Sequence, residues 1–226
     1  TPSDLIISKV RDLIDFFGEN CIKIKRLDLR QFIRIQDENI ESFSETFPKL
    51  NYLLLKNNLI TNNSGLGLGK NIFLTTLDFS GCAEINDFSF LKRYKNLTSL
   101  NLSGCSQLKD LSFLKHCKEL TSLVLTSCEQ IVDFSFIKHC KELTTLNLTG
   151  CTQINNFSFF EHCKALKNLN LSGCNQLKDL SFLKHCNELT TLDLSMCGEI
   201  SDIDISVLQH CKALTSLNIS DCTNID

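Results

Sequence analysis

The chain has little net charge, no long apolar run and no phosphate-cradling motif, and each shortage closes a class of function. Its 23 Lys and Arg stand against 26 Asp and Glu, a formal charge of −3 with a pI near 6.0. That balance gives no electrostatic reason to bind nucleic acid. No apolar stretch approaches the roughly 20 residues that span a bilayer. No signal peptide opens the sequence, and a trimmed one would leave no trace. The segment from Thr61 to Lys70, TNNSGLGLGK, lacks the G-K-[ST] sequence and the following helix of a phosphate loop, and reads as a loose surface connection. Nucleic acid and membrane are not expected partners, and no cofactor is expected.

What the chain has in abundance is repetition. Leu97 to Glu119 and Leu166 to Glu188 share 19 of 23 positions, although they lie 69 residues apart, three times that period. Self-similarity at a fixed period marks a stacked-repeat architecture. Units begin at Leu74, Leu97, Leu120, Leu143 and Leu166 without a slip; the unit from Leu189 carries two extra residues, and a last one starts at Leu214.

Each unit opens L-x-x-L-x-L, as in Leu97, Leu100 and Leu102, the alternation of a strand with one buried face. Strands that recur in the same sense make a parallel sheet, advancing by about 4.8 Å per repeat. The ninth position is cysteine in Cys82, Cys105, Cys128, Cys151, Cys174, Cys197 and Cys222. There a small, mostly apolar side chain with a weak donor fits where the chain leaves the sheet. Positions 14 to 21, D-L-S-F-L-K-H-C in Asp110 to Cys117, leave room only for a 3₁₀ or single-turn helix behind the sheet. Ser89, Ser112, Ser135, Ser158 and Ser181 are placed to cap those turns, and Phe90, Phe113, Phe136, Phe159 and Phe182 to form a core spine.

The C-K-x-L-T-x-L-N-L-S-G-C frame resembles the cysteine-containing class of leucine-rich repeats, the type found in F-box substrate adaptors. The D-L-S-F-L segment is similar to the D-I-S-P-L of internalin-like bacterial repeats, with Phe for Pro. The resemblance covers roughly residues 24 to 226. It implies an α/β fold: a right-handed leucine-rich-repeat solenoid with a parallel concave sheet and short 3₁₀ or α turns on the convex side. For function it implies only protein recognition and nothing finer, because one fold hosts many functions.

Three stretches organise the chain: an N-terminal helical cap over 1–23, two irregular repeats over 24–73, and regular repeats over 74–226. In the first, Leu5, Ile6, Val10, Leu13, Ile14 and Phe17 fall on one helical face before Gly18, a natural stop. Such a helix would cover the first core layer of a solenoid. In the second, Ile24 to Leu29 and Leu50 to Leu55 keep the strand signature, and Asn58 takes the ladder position that cysteine holds elsewhere. At the other end Ile225 stops before the returning segment of its repeat, as expected of a piece of a longer protein.

Thirteen cysteines follow the repeat rather than any pairing scheme. Parallel side chains in a core make poor bridging geometry, so reduced thiols and a cytoplasmic, reducing compartment are expected. Four N-x-[ST] sequons, at Asn101, Asn147, Asn170 and Asn218, lie on the strands, where glycans would crowd the sheet. All five histidines, His116, His139, His162, His185 and His210, directly precede a cysteine. Neighbouring side chains at a surface and a core position point apart, so neither zinc nor a Cys-His nucleophile is expected. No catalytic or metal residues are assigned: these residues recur in every repeat, and a catalytic site is normally unique.

Departures from repetition are where a partner would be read. Positions 3, 5 and 7 face outward from the sheet and mostly form a Ser, Thr, Asn and Asp field, as in Ser99, Asn101 and Ser103. Val124 breaks it. Toward the N-terminus the field becomes Arg26, Asp28 and Arg30, then Tyr52, Leu54 and Lys56. Arginine, aromatic and aliphatic groups together suit an interface hot spot; drift of the early repeats, or cover by the N-terminal helix, is the competing account. Lysines at positions 19 and 22 read as a solvated convex face. The expected activity is non-catalytic recognition of a protein partner by the concave surface, as an effector acting in host cytosol. Its alternatives are the recognition array of a ubiquitin-ligase adaptor, or a targeting module for a catalytic domain elsewhere. A monomer is expected unless the open edge of the last strand pairs with another chain.

Overall fold

The computed structural model describes residues 18–32, 35–40, 43–56, 58–68, 71–201 and 205–225. One parallel sheet runs the length of the chain in sequence order: β1 (Arg26–Asp28), β2 (Tyr52–Leu54), β3 (Thr76–Asp78), β4 (Ser99–Asn101), β5 (Ser122–Val124), β6 (Thr145–Asn147), β7 (Asn168–Asn170), β8 (Thr191–Asp193) and β9 (Ser216–Asn218). Each strand pairs with the next position for position, Leu100 with Leu123 and Leu123 with Leu146. A constant 23-residue period explains this: equivalent residues arrive at equivalent places. The leucines at positions 4 and 6 point into the core, and Leu100, Leu102, Leu123 and Leu125 are completely buried.

The strands span three residues, half of what the leucine pattern predicts. The ladder nevertheless continues past them, with Leu102 N–H donating to Val124 O at 2.9 Å and Gly104 N–H to Thr126 O at 2.8 Å. Behind the sheet the regular repeats form 3₁₀ turns, Ser89–Arg93, Ser112–His116, Ser135–His139, Ser158–His162, Ser181–His185 and Ser206–His210. The predicted serine caps are not used. In the five turns from Ser89 to Ser181 the capping acceptor is the Asp or Asn two residues earlier: Asp110 Oδ1 takes the Ser112 N–H at 2.7 Å, and Asp179 Oδ1 that of Ser181 at 2.7 Å. Ser112, Ser135 and Ser181 instead donate their hydroxyls back to the same carboxylates.

The phenylalanine spine is diagonal. Phe113, Phe136 and Phe182 are buried, while Phe90 and Phe159 are only partly so. Rings from position 15 of one repeat meet position 17 of the next: Phe134 stacks on Phe159 at 4.7 Å and Phe157 on Phe182 at 5.7 Å.

The cysteine slot behaves as expected and does more. Each ninth-position thiol donates to the position-6 carbonyl of the preceding repeat: Cys105 to Phe79 O at 3.4 Å, Cys128 to Leu102 O at 3.1 Å, Cys151 to Leu125 O at 3.2 Å. Asn58 fills the slot differently: its amide donates to Leu55 O of its own repeat at 2.7 Å, and its Oδ1 reaches the preceding unit by accepting from Ile35 N–H at 2.9 Å. All thirteen cysteines are free and buried. Burial raises the thiols of Cys82, Cys128, Cys140 and Cys197 to about 11, and those of Cys117, Cys151 and Cys186 to about 12.

The irregular repeats depart from expectation at the glycine-rich segment. It is no loose connection: Ser64–Leu68 forms a short helix, and Leu68 is completely buried. Gly65 lies so close to Phe90 that an added Cβ would stand 2.6 Å from the ring. Glycine here permits close approach rather than flexibility. Two further short helices, Asp37–Ile40 and Phe43–Thr46, occupy the longer first unit. The predicted helix before Gly18 lies outside the described residues; Gly18 itself has φ of 51° and opens a 3₁₀ turn, Gly18–Lys23.

Candidate protein-recognition surface

Outward positions of the nine strands build the concave face. Position 5 has a structural task that its polarity did not announce. The Oδ1 atoms of Asp78, Asn101, Asn147, Asn170, Asp193 and Asn218 each accept the backbone N–H two residues on, at 2.7–3.1 Å. This side-chain turn shapes the chain as it leaves the strand. The recurring pair of Asn or Asp followed two residues later by Ser or Thr is the signal that would have revealed it. Those polar groups are occupied by the fold and have less to offer a partner.

Val124 stands in register between Asn101 and Asn147 and cannot accept such a bond. Thr126 donates its hydroxyl to Asn147 Oδ1 instead, at 3.2 Å. Val124 is half-buried, a small apolar window in the polar field.

The first two strands bring the other candidates together. Arg26 pairs in register with Tyr52, and its guanidinium carbon lies 3.8 Å from the ring centroid, a cation–π arrangement. Arg30 grips Asp28 through Nε and Nη2 at 2.6–3.2 Å. That hydrogen-bonded guanidinium holds the Asp28 carboxyl below the usual carboxylate range. Both side chains are about half exposed, so the pair orders the surface and adds little to stability. Lys56 is exposed.

Leu54 corrects the sequence-based expectation. It was placed in water beside Tyr52, yet it is only 6% exposed. Asp28 and Asp78 flank it in register on both sides, and Tyr52 shares its face two residues away. In-register neighbours leave a branched side chain in mid-sheet little open surface. Arg26, Asp28, Arg30 and Lys56 are exposed and Tyr52 is half-buried, so these remain on the accessible face.

The histidine–cysteine pairs divide between surface and core. His116, His162 and His210 are exposed, His139 and His185 half-buried, and the thiols that follow them buried. Among the described residues no three His, Cys, Asp or Glu side chains are placed to share a metal ion.

Taken together, a parallel in-register sheet, one turn behind each strand and a polar ladder at each exit define a solenoid of leucine-rich repeats. Comparison with family models agrees. A model for "Leucine Rich repeats (2 copies)" matches residues 95–139 and 141–185, and one for "Leucine Rich repeat" matches 70–87 and 185–208. These matches together span more than half of the chain, which belongs to the leucine-rich-repeat proteins.

No curated protein matches the chain in sequence. Among solved structures it is similar to internalin C2 of Listeria monocytogenes, with a TM-score of 0.67 and 26% identity over 85% of this chain and 77% of that one. A leucine-rich-repeat protein of Leptospira interrogans gives a TM-score of 0.69 at 19% identity, over 86% of this chain and 49% of that one. The functional domain of InlJ from Listeria monocytogenes, which includes a cysteine ladder, gives 0.51 at 19% identity over 91% and 55%. The chain thus spans about half the length of these last two.

Proposed function

We propose that the chain is a protein-recognition module that binds its partner at the N-terminal end of the concave face. One observation carries this reading: the Arg26–Tyr52 stack stands beside the Arg30–Asp28 pair, at the margin of a field whose polar groups are occupied by the backbone. Aromatic and arginine side chains held in fixed geometry lose little freedom on binding and dominate interfaces energetically. Val124 would offer a second, apolar contact further along. The thirteen buried free thiols suit a reducing compartment, so the module is assigned to cytosol, with an effector delivered into a host cell as the favoured setting.

A photo-reactive amino acid at position 28 or 56 should capture one discrete protein in such a cytosol. The same group at Val132, on the flank where the chain leaves the strands, should capture none. Equal capture at all three positions, or capture at position 132 alone, would remove the concave face from consideration.

A further inference from the structure

Building on the placement of the binding site at the N-terminal end of the concave face, we propose that it takes an acidic segment of its protein partner, with Arg26 and Lys56 each receiving a carboxylate. Outward positions 3, 5 and 7 carry cations only at this end, at Arg26, Arg30 and Lys56. From the third unit onward the same positions hold nothing but Ser, Thr, Asn, Asp and Val. The sheet therefore presents positive charge to a partner at one place along its length.

The carboxylates of this patch are already committed. Asp28 is gripped by Arg30 through Nε and Nη2, and Asp78 accepts the Ser80 N–H at 2.7 Å and lies within electrostatic reach of Arg30. Arg26 and Lys56 are exposed, and neither makes an ion pair among the described residues. Arg26 is nevertheless held in place, its guanidinium 3.8 Å from the centroid of the Tyr52 ring. A guanidinium stacked by its face keeps the N–H donors of its rim free, and that planar fork meets a carboxylate in two hydrogen bonds. Ordered in advance by the ring, it loses less freedom on binding than a mobile surface lysine does.

The spacing selects a segment rather than a small anion. Lys56 follows Tyr52 by four positions, roughly 13 Å of strand, and Arg26 is pinned on that ring. One phosphate or one carboxylate does not span both. Two acidic residues four apart on an extended segment face the same side at about that separation. The row between the two cations sets the charge of the segment's middle. Asp28, the buried Leu54 and Asp78 stand there in register, and the two carboxylates repel a continuous polyanion. A nucleic acid fits this row worse than a peptide whose carboxylates are set apart by neutral residues. Recognition of acidic motifs by clustered basic side chains is a recurrent mode of peptide binding.

A random peptide library displayed on phage and selected on the 226-residue chain supplies the probe. Enriched peptides should carry two Asp or Glu residues four apart. Their binding, read by fluorescence anisotropy, should weaken as salt rises from about 50 to about 500 mM. Arg26→Gln and Lys56→Gln should each weaken it at least about tenfold with unchanged circular dichroism, and so should a change of either peptide acid to its amide. Lys138→Gln/Lys141→Gln, away from the concave face, should leave it unchanged. Lys56→Glu should recover binding by a peptide whose facing acid is replaced by lysine. Enriched peptides without acidic residues that lose affinity on Tyr52→Ala would sink the acidic segment and leave the site standing. Acidic peptides indifferent to Arg26→Gln, Lys56→Gln and Tyr52→Ala would sink both. A library that yields no binder would overturn the proposal, as would a single-stranded oligonucleotide that binds the same two cations more tightly than the best acidic peptide.

Discussion

The guanidinium of Arg26 stacks on the ring of Tyr52 at 3.8 Å, joining the first two strands on the accessible side of the sheet. Neither residue belongs to the buried core. Tyr52→Ala should therefore weaken partner binding by at least about 2 kcal/mol, the scale of an interface hot spot. Thermal stability should fall far less than after Leu53→Ala, which empties a fully buried site at a cost of roughly 2–5 kcal/mol. Calorimetric titration beside thermal melts of the two variants checks both halves. Leu54→Ala belongs with the stability arm, because Leu54 is buried.

Position 8 demands a left-handed backbone. Gly81, Gly104, Gly150 and Gly173 supply it with φ of 69–73°, whereas Ser127, Met196 and Asp221 hold φ of 57–60° as non-glycine residues. A left-handed residue with a Cβ costs about 1–2 kcal/mol, partly offset by the extra freedom glycine loses on folding. Met196 is 60% exposed and has little packing to lose. Met196→Gly should stabilise the chain by about 0.5–1 kcal/mol, a rise of a few degrees in Tm. A fall in Tm would mean that the methionine makes contacts which outweigh its strain.

Gly65→Ala should act in the opposite direction. Its methyl group would meet Phe90 at 2.6 Å, an overpacking that typically costs about 1–3 kcal/mol. The double variant Gly65→Ala/Phe90→Leu should recover part of that loss, and a double-mutant cycle on urea midpoints would show the coupling.

The thiols predict an alkaline limit. Those of Cys82, Cys117, Cys128, Cys140, Cys151, Cys186 and Cys197 rise from an ordinary 9.0 to about 11 or 12 because burial disfavours the thiolate. The unfolded chain therefore loses protons first as pH climbs, and stability falls. The contribution is complete below about pH 9 and is lost as pH rises toward 11–12. Each of these seven thiols adds up to about 1.4 kcal/mol per pH unit to that slope. Urea unfolding in reductant from neutral pH to pH 10.5 should show a steep decline, shallower in Cys128→Ala/Cys151→Ala. In the native state at neutral pH the thirteen thiols should resist a thiol reagent and react together once the chain is denatured.

The sequence by itself determined what the 23-residue period controls. Equal spacing forces equivalent leucines into one core, strands into one parallel register and the ninth-position cysteines into one slot, because each repeat meets only its neighbours. Arg26 and Tyr52 stand out in sequence because they break the repeated pattern, and they do lie side by side. Tertiary structure alone decided whatever depends on contacts between unlike positions. Leu54 and Tyr52 look equally outward in sequence, but burial separates them. Gly65 reads as a turn residue until the Phe90 ring stands over it, and the phenylalanines pair from position 15 to position 17 rather than along one column. Periodicity specifies which residues are equivalent; packing specifies which inequivalent residues touch, and that sets the character of the surface.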